Sequence, residues 1–274
     1  MPAAASLVNA GPAASTQGFF RSRVHGMSGS EGVGPKRGLA SGEGLHHSIE
    51  PARAVVARAK EFLFTMTTGR SGTKYLAELL RQNLAGAECE HEILGWDRFG
   101  VDAPDISHMT LFNSLGNVAK VQAFWRQKLA RIAAGPAPFY AETSHLLMKS
   151  GLIENLAPLL AAGRVHLVAL ERDPFDTVMS FRSRHDFTNR GNMWVWYLDP
   201  DYPKNLVQSE KLVTLGLDGI CLWYILEIRT RAAYYTRLLT GRSGIVVHRA
   251  TLEEIAEPAG ASRLLAAIGV SKPP

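Results

Sequence analysis

Cysteine is almost missing from this chain: its 274 residues include two, Cys89 and Cys221, far apart in the sequence. They make neither a close pair nor a metal-ligand spacing, which argues against a disulfide framework and for a reducing compartment, the cytoplasm. No uninterrupted apolar run approaches the length of a membrane span, so the sequence offers no candidate spanning helix. No cluster of His, Cys and Asp suggests a metal site, and His46-His47 is too isolated to supply one. Charge of one sign is scarce at the start, where no Asp or Glu precedes Glu31. Large charge imbalance is also lacking: a formal net charge of +5 and a pI near 9.3 fit an anionic ligand but are too small to argue for nucleic acid.

The composition that remains, 46% apolar and 20% charged, is that of one large globular domain. The first fifty residues stand apart. They are rich in Ala, Gly and Ser, and Arg21, Arg23, Lys36 and Arg37 are scattered through them without helical periodicity. Such a segment lacks the apolar content to bury a core, so residues 1–55 are expected to be a disordered tail or, alternatively, an organellar transit segment. Residues 56–274 are expected to form the functional domain.

Its organising stretch is 62–80, FLFTMTTGRSGTKYLAELL. Phe62, Leu63 and Phe64, extended by Thr65, Met66 and Thr67, have the composition of a buried strand. Thr68 to Gly72 are turn residues. Tyr75, Leu76, Leu79 and Leu80 then recur at helical spacing. Strand, glycine-containing loop and helix, in that order, gather free backbone N–H groups and the positive end of a helix dipole at one point, which makes an anion site. Arg70 and Lys74 add two cations there. The standard nucleotide-triphosphate loop is absent, because only Arg70 and Ser71 separate Gly69 from Gly72 and no Gly-Lys-Ser/Thr follows. TGRSG recurs at 240–244, after a helix and before a strand, where no helix N-terminus faces it; that copy reads as a plain turn.

Downstream, residues 87–93 (AECEHEI) read as a short strand with an acidic tip, in which Glu90 and Glu92 point to one face and His91 to the other. A helix over 118–133, a strand over 139–143, a helix over 152–161 and a buried strand over 165–170 follow. Asp173 is placed to cap a helix that starts at Pro174 and turns Val178, Met179 and Phe181 inward. The stretch 185–202 is long and irregular, but Trp194, Trp196, Tyr197 and Tyr202 argue against disorder. A helix over 217–239, a strand over 245–247 and helices over 252–256 and 262–268 complete the pattern. In the long helix, Trp223, Tyr224, Tyr234 and Tyr235 read as packing residues. Strands alternating with helices predict an α/β fold of three layers, a central parallel sheet flanked by helices, like that of P-loop NTPases. Ligands of such sheets gather beyond the carboxyl ends of the strands, where Arg70 and Arg172 both fall.

Two segments, TTGRSGTKY at 67–75 and RDPFDTVMSF at 172–181, together resemble the nucleotide-binding signatures of sulfotransferases that use 3′-phosphoadenosine 5′-phosphosulfate (PAPS). The similarity spans about Glu61 to Val270 and is sharp in those two segments. It implies sulfuryl transfer by in-line displacement to a hydroxyl or amine, with PAPS as donor, adenosine 3′,5′-bisphosphate as product and no metal. By position it implies that Gly69, Ser71, Gly72 and Thr73 bind the 5′-phosphate and that Arg70 stabilises the leaving phosphate. Lys74 replaces a common Thr, and Tyr75 stands where an aromatic often stacks on adenine. Arg172 and Ser180 keep the spacing of the pair that holds the 3′-phosphate. The Glu90-His91-Glu92 tip resembles the region that supplies a catalytic base, Glu92 ranking first and His91 second.

One departure is the C-terminal Arg-Lys-Gly-rich segment that covers the 3′-phosphate in cytosolic members and has no counterpart here; the aromatic loop 194–202 is a candidate replacement. Aromatics around 96–125 and 194–202 are expected to shape a pocket for an acceptor: a sugar, a lipid, a peptide or a small phenol. Two other readings stand beside the enzyme: a non-catalytic protein of the same fold that binds a nucleotide or a sulfated or phosphorylated partner, and a P-loop kinase. The kinase would need an acid after a buried strand, a place that Glu171 occupies.

Overall fold

The strand expected at the head of the organising stretch is β1, Lys60–Met66, and its burial explains its place in the sheet. Phe62, Leu63, Phe64, Thr65 and Met66 are all at most 1% exposed, so both faces of the strand are covered, as in the centre of a parallel sheet. The computed structural model describes residues 59–93, 106–188, 193 and 196–270. The expectations for the tail 1–55, for Trp96 and Phe99 and for Trp194 fall outside those residues.

After β1 come α1 (Thr73–Asn83), β2 (Glu88–His91), α2 (Ile106–Leu115), α3 (Ala119–Ala134) and β3 (Phe139–Thr143). Two 3₁₀ turns, Met148–Ser150 and Ile153–Asn155, lead to the short α4 (Ala157–Ala162), so the single helix expected over 152–161 is a turn followed by a helix. Pro158 sits in the first turn of α4, where its missing N–H costs nothing. Then follow β4 (Gly163–Glu171), α5 (Pro174–Ser183), α6 (Glu210–Val213), α7 (Gly216–Leu239), β5 (Ile245–Thr251), α8 (Leu252–Ala256) and α9 (Pro258–Ala267). The five strands are all parallel, in the order β2-β3-β1-β4-β5. This is the predicted α/β fold with a central parallel sheet between two helical layers.

Period-two alternation sorts the side chains between the layers. Phe62, Phe64 and Met66 of β1 and Val165 and Leu167 of β4 share one core with Trp125 of α3, Leu159 of α4, Phe181 of α5 and Trp223 and Tyr224 of α7. Leu63 and Val168 point the other way, toward Leu76 and Leu80 of α1, Ile255 of α8 and Leu265 of α9. Burying each of these large apolar side chains is worth about 1.5–3 kcal/mol. The packing also corrects two expectations. Met179 lies on the exposed face of α5, 45% accessible, whereas Thr177 and Phe181 face inward. Tyr234 is likewise exposed, although Trp223, Tyr224 and Tyr235 pack as expected.

Helix α1, which follows β1, and helix α5, which follows β4, lie on opposite faces of the sheet, while β1 and β4 are neighbours. The loops leaving those strands therefore diverge and open a crevice at the carboxyl edge, the switch point where ligands of such sheets bind. The repeated TGRSG at 240–244 is a turn between α7 and β5, with Gly241 and Gly244 at positive φ.

Candidate active site

All five strands contribute to a cleft of about 570 Å³ at this edge. The loop after β1 supplies Gly69, Arg70, Gly72, Thr73 and Lys74; the end of β2 supplies His91 and Glu92; the segment after β3 supplies His145. Arg172 comes from the end of β4 and Leu252 from that of β5, and Arg184, Asp186, Trp196 and Tyr197 close the remaining side.

The loop is shaped for an anion. Gly69, Arg70 and Gly72 all have positive φ, at 79°, 58° and 88°. The left-handed backbone favours glycine at 72, and a Cβ there would come within 2.4 Å of Leu252 Cδ1, so the tip of that side chain would have to shift. Gly72 is also the N-cap of α1, and no side chain caps the helix; its first turn carries no acidic residue. The leading N–H groups of α1 thus point toward the cleft with the helix dipole behind them and no competing carboxylate. Ser71, fully buried, spends its hydroxyl on Thr67 Oγ1, and so holds the loop from within. Thr65 Oγ1 donates to Ser144 O at 3.0 Å and accepts from Ser144 N at 2.9 Å, which locks the end of β1 to the end of β3.

The two sequence segments meet here. Arg70 Nε donates to Ser180 Oγ at 3.0 Å, and Arg172 lies against the same loop, its Nη1 3.4 Å from Arg70 O. Asp173 caps α5 by accepting from Asp176 N at 3.0 Å, with Pro174 in the first turn, as the sequence predicts. Arg229 Nη2 donates to Arg172 O at 2.7 Å and pairs with Glu171 at 3.2 Å. Glu171 is thereby engaged outside the cleft lining. Tyr75 also lies outside that lining, 42% exposed on α1.

The acidic tip departs from the expected geometry. β2 ends at His91, and Glu92 has a φ of +41°, a left-handed conformation that L-residues seldom adopt. That twist breaks the alternation, so His91 and Glu92 do not point to opposite faces: both line the cleft, with His91 Nε2 3.9 Å from Glu92 Oε2. Glu90 instead lines a second cavity with Lys128, Arg131 and Tyr140. His91 Nδ1 lies 3.0 Å from the carbonyl of Thr143, which can only accept, so Nδ1 carries a proton and Nε2 is the nitrogen turned toward Glu92. Burial pushes the Glu92 carboxyl above its ordinary range, against the opposing pull of His91, Lys149, Arg70 and Arg184.

Sequence reasoning missed the contribution of β3. His145 and the fully buried Lys149 stand behind Glu92, with His145 Nε2 3.7 Å from Glu92 Oε1 and Lys149 Nζ 3.1 Å from His145 Nδ1. Applying the carboxyl-end rule to the strand over 139–143, as it was applied to Arg70 and Arg172, would have singled out His145. The expected acceptor aromatics divide. Trp196 and Tyr197 line the cleft, but Trp125 is buried in the core with its Nε1 donating to Ser150 O at 2.7 Å, and Phe112 is also buried. Tyr202 pairs with Thr110 away from the site. Phe187, Tyr197, Tyr224 and Phe181 form one aromatic cluster, with Phe187 stacked on Tyr197 at 4.4 Å, which orders the described part of the 185–202 stretch.

Among the described residues no group of three or more His, Cys, Asp or Glu is placed to hold a metal ion, and no helix is long and apolar enough to cross a membrane. No protein-family model matches the chain, and no curated protein does so. Among solved structures, the chain is similar to a sulfotransferase from Alicyclobacillus acidocaldarius at 15% identity, with a TM-score of 0.38 over 79% of this chain and 83% of that one. So loose a likeness places no residue, and the site stands on its own geometry.

Proposed function

We propose that the chain is a sulfotransferase that moves a sulfuryl group from PAPS to a hydroxyl or amine. The observation that carries this reading is the junction of Arg70, Ser180 and Arg172 beside the uncapped start of α1. On this reading the junction offers two neighbouring places for anionic groups, one at the helix N-terminus and one at Arg172, to suit a nucleotide with phosphates on both its 5′ and 3′ carbons. The donor supplies the sulfuryl group and a good leaving group. The loop N–H groups, Arg70 and Lys74 hold the 5′ side, and Arg172 with Ser180 holds the 3′-phosphate.

In the transfer, the acceptor oxygen or nitrogen forms a bond to sulfur as the bond from sulfur to the phosphate oxygen breaks. Negative charge grows on that oxygen, where Arg70 and the α1 N–H groups stabilise it. The acceptor proton goes to Glu92, which leaves a sulfated product, adenosine 3′,5′-bisphosphate and a neutral carboxyl. A positioned base of this kind contributes roughly 10²–10⁴-fold. His91, whose Nε2 faces the cleft, is the second candidate. Trp196, Tyr197 and Arg184 border the acceptor side.

Calorimetry tests the reading directly. Metal-independent binding of adenosine 3′,5′-bisphosphate, with turnover of PAPS in the presence of an acceptor panel, is expected. Binding without turnover would mark a non-catalytic protein of the same fold. ATP binding that requires Mg²⁺ would mark a kinase, a reading disfavoured by Glu171 being paired with Arg229 instead of facing the cleft.

A further inference from the structure

We propose that His145 and Lys149 are a buried positioning pair that keeps Glu92 ionised: Lys149 fixes the tautomer of His145, and His145 turns an N–H toward Glu92. This rests on Glu92 being the base of the proposed transfer.

The hydrogen-bond inventory around Lys149 leads to that tautomer. Its Nζ contacts the Trp196 carbonyl, Tyr224 OH at 2.8 Å and His145 Nδ1 at 3.1 Å. A carbonyl only accepts. Tyr224 commits its own proton to Thr68 O at 3.0 Å, so toward Lys149 it too accepts. An ammonium with three N–H bonds satisfies all three partners, and the third must then be an imidazole nitrogen with a lone pair. His145 therefore carries its proton on Nε2, the nitrogen 3.7 Å from Glu92 Oε1. That separation is too long for a formed hydrogen bond, so in the resting protein the N–H acts on the carboxylate as an oriented dipole. Complete burial and the neighbouring Lys149, His91 and Arg70 hold His145 far below its ordinary pKa, so the ring is neutral and has one N–H to place.

The opposite arrangement shows what Lys149 controls. A neutral amine has two N–H bonds, which go to Trp196 O and Tyr224 OH, and a lone pair that must accept from His145 Nδ1–H. Nε2 would then face Glu92 with a lone pair, a contact that a carboxylate resists and a protonated carboxyl welcomes. The two arrangements hold the same number of protons and differ in whether Glu92 is a base. Burial and Arg231 push the Lys149 pKa down, and the Glu92 charge opposes them, so the two ends of the chain support each other's ionisation. The ring of Tyr197, with its centroid 5.2 Å from Nζ, adds cation–π stabilisation to the charged state. The other titratable and charged groups facing Glu92 are His91 from β2, Arg70 from the β1 loop and Arg184 beyond α5. Lys149 also reaches the phosphate loop through Tyr224 and Thr68, and a Cβ on Gly69 would lie 3.1 Å from the His145 ring. Base and loop thus share one support.

Nitrogen NMR of the intact, histidine-labelled chain at pH 7 reads the tautomer without turnover. His145 is expected to be protonated on Nε2 and bare on Nδ1; a proton on Nδ1 would overturn the proposal. Variants supply the second readout. His145→Asn keeps an acceptor for Lys149 but cannot reach Glu92, and the Glu92 carboxyl, followed by carbon NMR, should titrate at a higher pH than in the wild type. His145→Gln restores a donor at the Nε2 position and should return it. An unchanged Glu92 titration in His145→Asn would reduce His145 to a packing role. Because both measurements use the resting protein, they decide the matter even if no sulfuryl transfer is found.

Discussion

Arg70 Nε donates to Ser180 Oγ at 3.0 Å across 110 residues of sequence. The loop after β1 and the helix after β4 are thereby joined beside the cleft. Ser180 has a role before any ligand arrives: it holds the guanidinium of Arg70, whose backbone is in the left-handed region at φ 58°. A 3′-phosphate bound by Arg172 and Ser180 would share that hydroxyl, so occupation of one anion place is felt at the other.

Arg172→Ala is expected to weaken adenosine 3′,5′-bisphosphate selectively while leaving adenosine 5′-phosphate almost unchanged, whereas Ser180→Ala, which also releases Arg70, should weaken both and the bisphosphate more. A charge-assisted contact is worth about 1.5–3 kcal/mol, or roughly 10- to 150-fold in affinity. Titration calorimetry with both nucleotides checks this; equal losses for the two would remove the 3′-phosphate assignment. Ser180→Ala should also lower kcat, because it frees Arg70.

Glu92→Gln should abolish turnover with bisphosphate affinity intact, since it removes a proton acceptor and almost no volume. His91→Asn should chiefly raise the KM for the acceptor. The reverse pattern would transfer the base to His91, whose Nε2 is available in this geometry.

The raised Glu92 pKa has a sign that can be tested twice. Ionised Glu92 is lost as pH falls through the raised value, so the acid limb of kcat/KM should lie above the ordinary carboxylate range. For stability, a folded-state pKa above the unfolded one means that the charge costs stability at high pH and nothing below the unfolded pKa. Glu92→Gln should therefore melt higher than the wild type at pH 8 and level with it at pH 4. A matched Tm at both pH values would contradict the shift.

Gly72→Ala combines a left-handed backbone, which costs an L-residue about 1–2 kcal/mol, with a 2.4 Å approach to Leu252 Cδ1. Denaturant unfolding should show a loss of at least that size, together with weaker nucleotide binding. Adding Leu252→Ala should relieve the clash and leave the backbone term, so recovery should be partial; full recovery would show that φ is not limiting.

Glu227, fully buried in α7, accepts from Leu206 N at 2.9 Å, Val207 N at 2.7 Å and Arg231 Nε at 2.6 Å. It pins the segment that follows Trp196 and Tyr197. Glu227→Ala leaves the buried Arg231 guanidinium with only the neutral partners Asn113 and Asn205 and no counter-charge, and should cost about 3–5 kcal/mol in unfolding experiments. A loss below 1 kcal/mol would show that the network is dispensable.

Local pattern determined a good deal of this protein. A doubly apolar strand, a glycine loop and a helical repeat place β1, the loop and α1 at 60–83, and Asp173-Pro174 marks the start of α5 unaided, because capping and φ restriction act within a few residues. Alternation of strands and helices was enough for the parallel sheet and for the edge at which Arg70 and Arg172 meet. Tertiary structure decided the rest. His91 and Glu92 share the cleft because the chain leaves the strand geometry at φ +41°, a twist that strand periodicity does not encode and that the Glu92 N to Thr143 O bond at 3.2 Å supports. Lys149 and His145 look in sequence like any polar pair four residues apart. They gain their chemistry from Trp196, Tyr224 and Glu92, each brought from another element, because a buried charge is defined by its surroundings and those are assembled only when the sheet and helices pack.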